Sequence, residues 1–150
     1  MSVVEFIFGR RPVARTRIRE APRDVVWRQV RPKPSPPVRA WRASSDCRVK
    51  TGQGVLRARA GKDFIIDYGG GDRAVISEDV FERTYRQVAE DSYVKRADLV
   101  LRYFVLDKPA VVETLEGPQT GEPGDWVMEG VAGELWPVPQ AKALAKYEPV

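Results

Sequence analysis

Near the end of the chain, Asp125, Trp126, Glu134, Trp136 and Tyr147 have the side chains and spacing to bind a ligand. With Glu129 between them, these carboxylates over an aromatic floor match what holds a sugar, a nucleoside or a cation. General acid–base work by Asp125 and Glu134 would need the two to share a cleft that raises a pKa. The same residues also have a plainer use. Pro123-Gly124-Asp125 is turn chemistry: proline presets φ, glycine accepts positive φ, and the carboxylate bonds nearby amides. On that reading Trp126 and Trp136 face each other across a hairpin, as a cross-strand pair worth roughly 0.2–1 kcal/mol. Tyr85 and Tyr147 then pack on the sheet with their hydroxyls at the surface.

The residue census removes whole classes of chemistry. There is no histidine and one cysteine, Cys47, so zinc sites, Cys–His pairs and imidazole triads cannot be assembled from this chain. No metal and no cofactor is expected. Gly69-Gly70-Gly71 lacks the lysine and helix start of a phosphate loop and reads as a hairpin turn. A lone cysteine forms no internal disulfide, and no apolar run has the length of a membrane span. The expected setting is cytoplasmic or a virion, with no membrane partner.

Charge is unevenly distributed. Residues 1–60 hold 15 Lys and Arg against 4 Asp and Glu, net +11, whereas residues 61–150 hold 10 against 17, net −7. Arg10, Arg11, Arg15, Arg17, Arg19, Arg28, Arg57 and Arg59 could contact nucleic-acid phosphates or an acidic partner. Alternatively, the basic half packs beside the acidic half, within the chain or between subunits. No recognition motif accompanies the arginines.

Positioning these residues requires two similar units. Gly61, Asp63, Phe64 and Tyr85 recur as Gly124, Asp125, Trp126 and Tyr147, with 22 residues from aspartate to tyrosine in both cases. Val49-Lys50-Thr51 and Gly54 answer Val112-Glu113-Thr114 and Gly117. Such self-similarity marks a duplicated unit. Alternation over Val55–Ala60 predicts a half-buried strand, and Leu99–Leu106 predicts a central one. Short β-rich segments at Val25–Val30, Phe64–Asp67, Ala74–Ile76, Val111–Thr114, Trp126–Glu129 and Leu135–Val138 complete a meander. Met1–Phe8 reads as a further strand. Ser77 caps a helix expected to reach about Asp91, and Pro139 opens a shorter one over Gln140–Lys146. Arg31–Val38, with four prolines, predicts an extended connector, and its PxxP is a weak pointer to a partner domain.

Thr114-Leu115-Glu116-Gly117, Pro123-Gly124-Asp125-Trp126-Val127, Gly130–Val138 and Tyr147-Glu148-Pro149-Val150 together resemble the PGDYG-type family of small phage and bacterial proteins. The first copy keeps a family-like Asp79-Val80-Phe81-Glu82-Arg83-Thr84-Tyr85 but has Ala60-Gly61-Lys62-Asp63-Phe64 in the turn. The resemblance implies a small β-rich domain of phage or mobile-element association, and it brings no catalytic residue. The expected fold is mainly β, of α+β type: tandem small sheets or partly open barrels, each ending in a short helix. The copies span 39–91 and 95–150, and residues 1–38 supply an edge strand or two plus a basic, proline-rich arm. That arm is expected to wrap the second copy or a neighbouring subunit. The expected function is a non-catalytic binding or structural protein that docks to a protein partner or self-assembles. Nucleic-acid binding through the first 60 residues is the alternative, and a small-ligand binder or carboxylate-dependent hydrolase the third.

Overall fold

The computed structural model describes residues 15–52 and 54–150. The expected strand in Met1–Phe8, and Arg10 and Arg11, lie outside them. The chain is mainly β, with two short helices and several small sheets, none closed into a barrel. In chain order come β1 (Thr16–Ile18), β2 (Arg28–Pro32), β3 (Val38–Arg42), β4 (Cys47–Thr51), β5 (Gly54–Ala58), β6 (Asp63–Gly69) and β7 (Asp72–Ser77). Helix α1 (Glu78–Thr84) leads to β8 (Tyr85–Ala89) and β9 (Ser92–Lys95). Then follow β10 (Leu101–Val105), β11 (Ala110–Thr114), β12 (Gly117–Gly121), β13 (Trp126–Glu129), β14 (Leu135–Val138), helix α2 (Gln140–Lys146) and β15 (Tyr147–Pro149).

Two five-stranded sheets run in the orders β7-β6-β3-β9-β8 and β14-β13-β10-β2-β15. Counterpart strands lie 62 or 63 residues apart, and the registers follow: Phe64 opposes Ile76 as Trp126 opposes Val138, and Val38 opposes Tyr93 as Leu101 opposes Val30. The strand answering β9 is β2, which precedes β3 in the chain yet lies between β10 and β15 of the other sheet. Residues 33–37 and 96–100 carry the chain from one sheet to the other, so the sheets exchange a strand. β2 is therefore an interior strand. Only β1 is an edge strand, parallel to β11 in the order β1-β11-β12. The proline-rich stretch begins inside β2, because Pro32 ends that strand opposite Tyr147.

Each sheet carries a helix on one face and a hairpin on the other. On the helix side of the first sheet, Ala40, Phe64, Ile66, Phe81 and Tyr85 are buried together. Trp126, Met128, Ala143 and Tyr147 occupy the matching positions of the second. Phe81 of α1 stacks on Phe64 at 4.1 Å, whereas Ala143 of α2 leaves room for Tyr103 to stack on Trp126 at 3.6 Å. A ring pair fills both cores, with its second ring drawn from the helix in one and from the neighbouring strand in the other. On the hairpin side, Val49, Ala58 and Ile65 answer Val112, Gly121 and Val127.

Ser77 caps α1 by accepting a hydrogen bond from the Val80 amide. The helix stops at Thr84 rather than near Asp91. The Tyr85 amide returns to the Phe81 carbonyl, and Arg86, Gln87 and Ala89 pair with β9 through a turn in which Asp91 takes φ 56°. The ladder to β9 outcompetes a second helical turn, which would expose Val88 in any case. Pro139 is the cap of α2 rather than its first residue.

Candidate functional site

Asp125 does turn work. Its carboxylate accepts from the Glu122 amide at 2.9 Å, while the Asp125 carbonyl accepts from Leu106 and the Gly124 amide donates to the Leu106 carbonyl. Asp63 repeats this: its carboxylate accepts from the Arg59 amide at 2.9 Å, its carbonyl accepts from Ala43, and Gly61 donates back to Ala43. Burial opposes ionisation of Asp63, but the guanidinium and amide of Arg59 overcome it and hold the carboxyl below its usual range.

The two tryptophans do not oppose each other. The ladder sets Trp126 against Val138 and Met128 against Trp136, so the indoles are diagonal neighbours on one face. A cross-strand pair would need a register two residues different. Glu129 is taken by the Arg102 guanidinium, which also lies 3.9 Å from the Trp27 ring. Glu134 folds back to accept from the Ala132 amide at 2.9 Å. The candidate carboxylates thus each serve a turn or a ladder of their own.

Tyr147 belongs to a different group. With Tyr85 it is buried, which corrects the expectation of surface hydroxyls, and Tyr85 donates a hydrogen bond to Tyr68. Burial is the main cause that drives the Tyr85 phenol far up and pushes Tyr147 up to about 12. The Lys95 ammonium lies 5.3 Å over the Tyr147 ring and is pushed down to about 8 by burial and by Lys146. This cluster joins the two sheets, since β6, β8 and β9 contribute Tyr68, Tyr85 and Lys95 and β15 contributes Tyr147. An amine that loses its proton near pH 8 is a competent base or nucleophile where a substrate can reach it. Two grooves, of about 520 and 180 Å³, run beside it, and none of the four residues lines either. The larger groove is walled by Glu82, Arg83, Arg96, Asp98, Val100 and Val131. None of the five ligand candidates lines a groove. Among the described residues no group of three or more His, Cys, Asp or Glu is arranged to hold a metal, and no helix is long and apolar enough to cross a membrane.

The arginines divide into two sets. Arg15 bonds Glu122 at 2.8 Å and the Gly121 carbonyl, Arg17 pairs with Glu113, and Arg31 bonds Glu148 at 2.9 Å. These three join the basic start of the chain to the acidic second unit. Arg57 pairs with Asp46 and Arg59 with Asp63. Arg19 and Arg28 make no ion pair among the described residues. Two further cations, Arg48 and Lys50 on β4, are exposed and likewise without an ion pair there. Their sequence signal was the substitution of Lys50 for its counterpart Glu113 within otherwise matching triplets. No family model, curated protein or solved structure matches the chain.

Proposed function

We propose that the chain is a non-catalytic binding or assembly protein whose two β units dock to a protein partner or to further copies. One observation carries this reading: the arginines of the basic start that reach the second unit are spent on its carboxylates, Arg15 on Glu122, Arg17 on Glu113 and Arg31 on Glu148. A surface evolved to track a nucleic-acid backbone keeps such cations free for phosphate. The carboxylates that could have done acid–base chemistry are held in turns and ladders. Matching registers at a constant spacing support descent of both units from one duplicated module, and the PGDYG-type resemblance supports a phage or mobile-element origin. The setting is then the cytoplasm or a virion.

Nucleic-acid binding is the second reading, favoured by the unpaired Arg19, Arg28, Arg48 and Lys50. Anisotropy titrations with labelled duplex and single-stranded DNA and RNA, at roughly 50 and 500 mM salt, separate the two readings. Docking predicts no complex that salt dissolves. A tight complex at low salt that is lost at high salt overturns it.

A further inference from the structure

We propose that the open edge of β4 is a docking site for an acidic, extended segment of a partner protein, which adds to the β4-β5 ribbon as a parallel strand. This rests on the protein-docking reading and names its place and chemistry. The precedent is inside the molecule. β11, the counterpart of β4, carries β1 as a parallel strand with Arg17 opposite Val111, whereas β4 and β5 form a sheet of two strands only among the described residues. Both hairpins share a register, Thr51 opposite Gly54 and Thr114 opposite Gly117. In such a ladder alternate residues turn their amide and carbonyl away from the partner. Val111 does so toward β1, and Arg48, 63 residues earlier, holds the same position. Lys50 repeats it two residues on. A row of unmatched backbone groups is a template for another strand.

Side chains specify which strand fits. At β11 the incoming strand is basic and meets Glu113 through Arg17 and Glu122 through Arg15. At β4 the matching positions are Lys50 for Glu113 and Arg59 for Glu122, with Arg48 in place of Val111. The seat has reversed its charge. A second copy's β1 would bring Arg17 against Arg48 and Lys50, so self-addition through that strand is disfavoured. Arg48 also stands directly opposite Arg57, and like charges so placed cost stability. Asp46 relieves Arg57, but no carboxylate in the described chain relieves Arg48. Val55, opposite Lys50 and 62 % exposed, adds an apolar contact beside the cations. An alternating acidic and apolar strand satisfies all three.

The probes are three capped octapeptides: alternating Glu-Val, alternating Lys-Val, and the Glu-Val sequence N-methylated at alternate residues to remove its donors. A short DNA duplex is the fourth. Each is titrated into the labelled full-length chain while amide resonances are followed. The Glu-Val peptide is expected to shift the Arg48 and Lys50 amides and their β4 neighbours, and the Lys-Val and N-methylated peptides are not. Arg48→Glu with Lys50→Glu is expected to weaken the Glu-Val peptide at least tenfold and to admit the Lys-Val peptide. Lys50→Gln, which leaves the ribbon otherwise intact, is expected to weaken it by a smaller factor. Equal response to both peptides, indifference to the substitutions, or shifts away from β4 overturns the proposal. If β4 answers no probe and the protein also ignores nucleic acid, this inference fails and the docking reading stands. If β4 answers DNA alone, both fall.

Discussion

Two aspartates at equivalent turns do unequal work. Asp63 holds an amide and a guanidinium, whereas Asp125 holds one amide. Asp63→Ala is therefore expected to cost about 1–3 kcal/mol in urea unfolding, and Asp125→Ala about 1 kcal/mol or less. Equal losses would contradict this assignment. Because the folded pKa of Asp63 is depressed, its contribution is present above the unfolded carboxyl value and is lost as pH falls through the folded one. Lys95 acts in the opposite range. Its folded pKa of about 8 lies below the ordinary lysine value, so the unfolded chain holds more protons between the two, and stability rises with pH across that window. Lys95→Met is expected to stabilise the protein at pH 7 by up to roughly 3 kcal/mol and to flatten that rise. A variant whose unfolding keeps the wild-type pH slope contradicts the burial of Lys95 between the sheets. The carboxylates and tryptophans were legible in the sequence as turn and core residues. Their partners were not, because Glu129 finds Arg102 and Trp126 finds Tyr103 across a ladder whose register no local pattern records.

Among the elements, β2 carries the most consequence for its length. Val30 is 2 % exposed and sits in one core with Leu101, Met128 and Tyr147. Removing residues 1–18 deletes β1 and its two ion pairs, a loss of exposed contacts that is expected to lower the urea midpoint modestly. Removing residues 1–32 leaves β10 and β15 without the strand between them and is expected to abolish the cooperative transition of the second unit. Similar midpoints for the two truncations would contradict the interior position of β2. The hairpins and the start of α1 could be read from the alternation over 55–60, the glycines at 69–71 and Ser77. The position of β2 could not. Pro32, Pro34, Pro36 and Pro37 made its surroundings read as a connector, and pairing with residues about seventy and more than a hundred positions away leaves no local trace. The end of α1 at Thr84 was hidden for the same reason, since it is set by the ladder to β9.

For the whole molecule, the two halves of opposite charge are interleaved. The start of the chain supplies β2 to the second sheet and β1 to its hairpin, and Arg15, Arg17 and Arg31 meet acidic residues there. The charge asymmetry was visible in the sequence, but its two readings, an internal seat or a phosphate-binding surface, have the same composition. The internal seat makes β2 as permanent as the core around it, while the β4 edge stays open to solvent. Amide hydrogen exchange of the full chain compares these directly. The account predicts that the amides of β2 bonded into the sheet, around Val30, exchange as slowly as those of β10, through global opening, and that Arg48 and Lys50 exchange quickly. Rapid exchange throughout residues 28–32 beside a protected β10 would mean that the basic segment is a free arm, and would contradict the account at its centre.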